Sequence, residues 1–299
     1  MFYIKMLNKE GLSFKEFIKV KFNRYRVIKE NEMHIIELLD LKEKSFKRLK
    51  AYLKENCALR VCVSNELFYD DFLVFLYEQN IKIIDGKWLF KNLAKETLDY
   101  IVYMKKSKIE DEEITILVNY LDKTIVHFIK ELAAKVKCLN IITENERQFN
   151  NTKNYLNNEY GIILNFYSDN SKIISRSSII LNFDYSEDEL KKLNIKNDSI
   201  LVNFNKVLFD KKYFDGLLIC DYEINSKIKF SKILETFDYK HLYESIIYKN
   251  TLPENIKKQL EKDKIKIRKL KTIEGEIKKS DYLKNNSRKM LNSLDKTQN

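Results

Sequence analysis

Short apolar runs separated by segments of helical period recur along most of the chain. Ile-Thr-Ile-Leu-Val at 114–118 leads through a polar turn into a stretch with helical spacing from Asp122 to Val136, and then into Cys-Leu-Asn-Ile-Ile-Thr at 138–143. Two strand-like runs around one amphipathic helix make a βαβ unit, which winds right-handed into a parallel sheet. The alternation continues with a helix over Arg147–Glu159, closed by Gly161 after its C-cap. Strands follow at 162–166, 178–183 and 199–204, separated by short helical pieces at 172–176 and 187–193, and Gly216–Cys220 adds an edge strand. Six strands with crossovers in roughly 110 residues fit a doubly wound parallel sheet.

The first 110 residues predict a separate α/β domain. Ile18, Val20 and Phe22 alternate with Lys19, Lys21 and Asn23, the period of a half-buried strand with a solvated basic face. Further strands are expected at 25–29, 33–39, 59–63 and 81–84, with helices at 43–55, 70–78 and 88–104. The run from Lys105 to Glu113 is polar and turns from basic to acidic, which marks a domain boundary. The expected division is therefore an α/β domain at 1–110, a doubly wound domain at 111–225, helices at 226–252 and a basic, partly disordered tail at 253–299. Thr251-Leu-Pro-Glu254 reads as a capping box that opens a helix.

Composition changes this picture in two ways. A 44% hydrophobic and 33% charged chain is globular rather than disordered, and the scarcity of Gly (5) and Pro (1) beside abundant Lys, Asn and Ile points to an AT-rich genome. The net charge of +11 is uneven: from Glu254 onward there are 14 Lys and Arg against 7 Asp and Glu. The basicity thus belongs to residues 254–299, where contact with nucleic acid is one reading. Lys264–Lys271, apolar at most alternate positions, fits either an edge strand with a charged outer face or a phosphate-tracking segment. No membrane partner is expected, because no run is long enough to cross a bilayer, and an opening without an apolar core fits a cytoplasmic protein. Four scattered cysteines and three histidines show no metal-ligand spacing, so no metal site is expected.

Candidate chemistry centres on the turn after the strand at 114–118. A dinucleotide site needs glycine there, so that the backbone can approach the pyrophosphate and aim free N–H groups at it. This turn reads Asn119-Tyr120-Leu121-Asp122, with two bulky side chains and an acid placed to cap the helix. The runs Asn-Ile-Ile-Thr-Glu-Asn-Glu-Arg (140–147) and Ser-Ser-Ile-Ile-Leu-Asn-Phe-Asp (177–184) carry a family likeness. Over residues 111–221 the pattern resembles the Rossmann-like NAD(P)-binding domain of shikimate dehydrogenase and glutamyl-tRNA reductase relatives. That resemblance implies Glu144, Asn145 and Arg147 beside the adenosine ribose, and Asn182 and Asp184 beside the nicotinamide. It also implies a Lys–Asp pair or a nucleophilic cysteine in the first domain. Cys62 lies in a strand-like alternation that reads as core. Asp85-Gly86-Lys87-Trp88 reads either as a turn anchored by the only Trp or as a ligand-facing pair, Asp85 and Lys87, at a cleft mouth.

Asn119, Glu144 and Asp184 fall at strand carboxyl ends, where open α/β sheets collect ligands, and Asp85 and Lys87 are expected to approach them across a cleft. No catalytic residue stands out. The expected function is a non-enzymatic binding or regulatory role on a degenerate Rossmann-like scaffold, recognising a protein partner or small ligand, with NAD(P) disfavoured. The alternatives are an NAD(P)-dependent oxidoreductase and a nucleic-acid- or ribosome-associated protein.

Overall fold

The computed structural model describes residues 1–283 except 11, 31, 137, 161–164, 168–173, 175, 207–209, 211, 253 and 254, and the side chains of 159, 160 and 165–167. The expectations for Gly161, for the Pro253–Glu254 cap and for the tail beyond 283 lie outside the described residues.

The chain divides into two compact units, each built from two separated stretches. One is Met1–Trp88 with Lys227–Asp263; the other is Leu89–Ser226 with Lys264–Asn299, described as far as Leu283. This differs from a boundary at 105–113 and from a separate helical piece at 226–252. Residues 105–113 lie inside the second unit, and 226–252 holds one full helix that belongs to the first.

The first unit contains β1 (Phe2–Met6), α1 (Phe14–Asn23), β2 (Tyr25–Glu30), β3 (Met33–Leu38), α2 (Glu43–Glu55), β4 (Arg60–Val63), α3 (Asp70–Glu78) and β5 (Lys82–Ile84). The sheet order is β2-β3-β1-β4-β5, parallel except for β2. The central strand, β1, has no counterpart among the expected strands: Tyr3, Ile4 and Lys5 are buried on both faces, so no alternation marks them. The strand expected at Ile18–Phe22 is instead the helix α1. Glu16 donates its N–H to Ser13 Oγ at 3.3 Å and accepts the N–H of Ser13 at 3.0 Å, a capping box that starts a helix one turn before the alternation begins. One face of the sheet packs on α2 and α3 through Ile4, Ile36, Leu49, Leu53, Val61 and Phe72. The other, with Tyr3, Ile35 and Cys62, is covered by Leu234, Phe237 and Leu242. Leu242 belongs to α9 (Tyr239–Asn250), which is followed by α10 (Ile256–Lys262).

The stretch expected as one helix over 88–104 breaks at Leu93 into α4 (Lys87–Asn92) and α5 (Ala94–Lys105). The second unit then runs β6 (Glu113–Leu117), α6 (Lys123–Ala133), β7 (Cys138–Ile142), α7 (Glu146–Tyr160), β8 (Asn165–Tyr167), β9 (Ile179–Asn182), α8 (Glu187–Lys191), β10 (Ile200–Asn203), β11 (Leu217–Ile219) and β12 (Asp221–Asn225). Its six-stranded sheet is wholly parallel, in the order β11-β10-β9-β6-β7-β8. The protein is thus an α/β protein with a doubly wound, Rossmann-like sheet, as the sequence pattern predicts. A small antiparallel sheet joins β12 to β13 (Lys266–Thr272) and β14 (Gly275–Glu276). The basic run at 264–271 is therefore the middle strand of three rather than an edge. Ile267 and Leu270 are buried, while Lys271 and Arg268 pair with Glu223, at 2.7 and 3.9 Å, and Lys269 with Glu276 at 2.6 Å. Cross-strand glutamates hold the cations of this strand, which is why it tolerates a central position.

Candidate functional site

The parallel sheet of the second unit begins at its centre. From β6 the chain winds outward through β7 to β8, then returns to the other side of β6 and continues through β9 and β10 to β11. The order reverses between β6 and β9, and the crevice beyond their carboxyl ends is where such sheets bind ligands. Asn119 follows β6 and Asp184 follows β9, so the reversal brings these two sequence-predicted residues together.

Asp184 enters the β6–α6 turn and occupies it. One carboxylate oxygen accepts the N–H of Asn119 at 2.8 Å, and the other accepts the N–H of Tyr120 at 2.8 Å. Asp122, as expected, is the N-cap of α6 and takes the N–H of Ile125 at 2.8 Å. The buried Asn119 side chain ties in two neighbours. Its Nδ2 donates to Glu189 Oε1 at 3.0 Å, and its Oδ1 accepts the N–H of Glu144 at 2.9 Å. Asn145 reaches the carbonyl of Asn119 at 3.4 Å. Below them lies Asn182, fully buried, which donates to Asn203 Oδ1 at 3.1 Å and to the carbonyl of Tyr185 at 3.0 Å, and accepts the N–H of Tyr185 at 2.8 Å. Asn182 therefore shapes the β9 turn and points its amide into the protein. Arg147 is exposed in the first turn of α7, and no ion pair joins it to another described residue.

Electrostatics follow from this packing. Burial pushes the Asp184 carboxyl above the ordinary aspartate range, against the pull of its two N–H donors. Glu189 is also partly desolvated, but hydrogen bonds from Ser186 and Asn119 outweigh that and hold it below the usual range. Burial and the nearby Glu144 and Glu189 raise the Tyr185 phenol. The turn is an acidic site in which carboxylates already take the N–H groups of Asn119, Tyr120 and Ile125. It does not fit a pyrophosphate, which needs those N–H groups free and no carboxylate in their place. Glu189, Tyr185 and Asn203 were not anticipated as members of this site. The pattern Ser186-x-x-Glu189, a capping box directly after Asp184, is the sequence signal for Glu189.

The first unit repeats the arrangement. Its strand order reverses between β1 and β4, and Glu66, two residues beyond Ser64, accepts the N–H of Met6 at 2.9 Å and the Ser64 hydroxyl at 3.2 Å. Asp85 and Lys87 belong to this unit, at the end of β5 and the start of α4. Asp85 accepts the Lys87 N–H at 3.0 Å and pairs with the Lys87 ammonium at 3.3 Å, so the two residues close a local turn. Gly86, at φ +80°, lies against the methylene stem of Lys240. Cys62 is buried, and its surroundings push the thiol well above the ordinary range, away from the thiolate a nucleophile requires. Among the described residues no group of three His, Cys, Asp or Glu could hold a metal ion, and no helix is long and apolar enough to cross a membrane.

No family model and no curated protein matches the chain. Among solved structures, it is similar to a dipicolinate synthase structure from Bacillus halodurans, with a TM-score of 0.40 and 9% identity over 84% of this chain and 98% of that one. The dipicolinate synthase structure from Bacillus subtilis gives a TM-score of 0.37 and 11% identity, covering 61% of this chain and spanning 61% of the other. L-Tryptophan dehydrogenase from Nostoc punctiforme gives 0.36 and 10% over 87% and 77%.

Proposed function

We propose that this protein is a doubly wound scaffold whose nucleotide position is closed from within, and that it serves a binding or regulatory role toward a protein partner or small ligand rather than NAD(P)-dependent hydride transfer. The observation that carries this reading is the Asp184 carboxylate seated on the N–H groups of Asn119 and Tyr120. A pyrophosphate would have to displace a covalently tethered anion that is always at hand, and then tolerate Asp122 and Glu144 beside it. The four cysteines are free thiols, which supports a reducing, cytoplasmic setting.

Thermal unfolding with millimolar NAD(H) and NADP(H) tests the proposal. A true cofactor at about 100 times its Kd would stabilise the fold by about 2.7 kcal/mol, whereas no displacement of the transition is expected here. Saturable micromolar binding that Asp184→Ala alters would overturn the reading. If Asp184 is the internal occupant, the same substitution should create weak affinity for inorganic pyrophosphate where the unmodified protein has none.

A further inference from the structure

The helix α1 leaves an apolar ridge in solvent. Phe14, Ile18 and Phe22 are 80%, 38% and 77% exposed, while Val20, on the opposite side, is 2% exposed. Spaced four apart, the three outward residues form one stripe about 12 Å long. Lys15 and Lys19 flank it on one side and Lys21 on the other, all exposed. None of these lysines forms an ion pair with a described residue, although the neighbouring Arg24 and Arg26 are held by Asp40 and Glu37. The helix itself is anchored independently of the ridge, through the Ser13–Glu16 box, the Glu16–Arg26 contact and Val20.

We propose that this face of α1 docks on an anionic phospholipid surface, with Phe14, Ile18 and Phe22 in the acyl boundary and Lys15, Lys19 and Lys21 at headgroup level. Charge complementarity selects that occupant: cations outside any ion pair with a described residue border the ridge on both sides, Lys19 feeling Glu16 only at longer range, and their long stems let the apolar stripe sink while the ammonium groups stay in water. The lack of a long apolar helix among the described residues bears on crossing a bilayer and not on lying against one. A single short helix gives reversible association, so charge must supply the second half of the affinity.

Sedimentation with vesicles of equal parts phosphatidylglycerol and phosphatidylcholine, against phosphatidylcholine alone, tests this on the full chain. Recovery with the anionic vesicles is expected at about 50 mM salt, falling at least about tenfold at about 300 mM salt or on the neutral vesicles. Phe14→Ser with Phe22→Ser, and separately Lys15→Glu, Lys19→Glu and Lys21→Glu together, should each reduce recovery by a similar factor while leaving the thermal transition in place. Absence of recovery, equal recovery on neutral vesicles, or unchanged recovery in either variant overturns the proposal. So does concentration-dependent dimerisation abolished by the Phe14/Phe22 variant without vesicle binding, which would assign the ridge to a second copy of the chain.

Discussion

Asp184 satisfies two backbone donors with one carboxylate, and its removal should be felt in stability before anything else. Asp184→Ala leaves the N–H groups of Asn119 and Tyr120 without their acceptor, a loss of about 1–3 kcal/mol in denaturant unfolding. The pH dependence has a definite sign. Burial raises the folded-state pKa of this group, so its contribution is full below the unfolded aspartate range and is lost as pH rises through the folded value. As pH rises from the unfolded aspartate range, about 4, through the higher folded value, the unmodified protein should therefore lose stability relative to Asp184→Asn, and parallel curves would refute the assignment. Gly86 carries a different constraint. At φ +80°, with the Lys240 stem 3.3 Å from the position a Cβ would take, Gly86→Ala should cost about 1–3 kcal/mol by thermal or chemical unfolding.

Between elements, Glu112 is the tightest polar link in the second unit. It meets Lys105 at the end of α5 at 2.6 Å, accepts the Ser107 hydroxyl at 2.5 Å, and accepts the Ser178 hydroxyl just before β9. Burial works against its ionised form, but the Lys105 charge and the three hydrogen bonds outweigh it and hold the carboxyl below its ordinary range. A depressed folded pKa gives stability that is full above the unfolded glutamate range and lost as pH falls through the folded value. Glu112→Gln should remove roughly 3–5 kcal/mol at neutral pH by taking the opposite charge away from the buried Lys105 ammonium, and should flatten the acid limb of the stability curve. The sequence marks this level unevenly. Strands β6, β7, β9 and β10 are readable because parallel strands buried on both faces appear as continuous apolar runs. β1 escapes this signal because Lys5, buried beside Glu37, interrupts its five-residue apolar run. In α1 two local signals compete: the period-2 alternation at 18–22 points to a strand, and the Ser13–Glu16 box prevails, pairing N-terminal donors that a helix leaves without intrahelical partners. Asn119 and Asp184 could be placed at strand ends from sequence, whereas their hydrogen bonds, formed across 65 positions of chain, left no local trace.

At the scale of the whole molecule, both larger sheets carry an acid at their strand-order reversal, from the loop after the neighbouring strand: Glu66 takes the one amide of Met6, and Asp184 takes those of Asn119 and Tyr120. The first unit also needs residues far along the chain. Leu234, Phe237 and Leu242 cover Tyr3, Ile35 and Cys62, and the Tyr3 hydroxyl meets Ser245 at 2.8 Å. A chain truncated after Ser226 should accordingly show rapid proteolysis within residues 1–88 and bind a hydrophobic dye, while the full chain does neither; protection equal to that of the full chain would count against this dependence. Its consequence is one of timing during synthesis. Translation at about 5–20 residues per second separates Trp88 from Asp263 by roughly 10–35 s, and through that interval the newborn sheet has one greasy side bare. Nascent chains stalled before residue 227 should cross-link to a ribosome-associated chaperone through the Tyr3–Ile35–Cys62 side, and chains released past Asp263 should let it go.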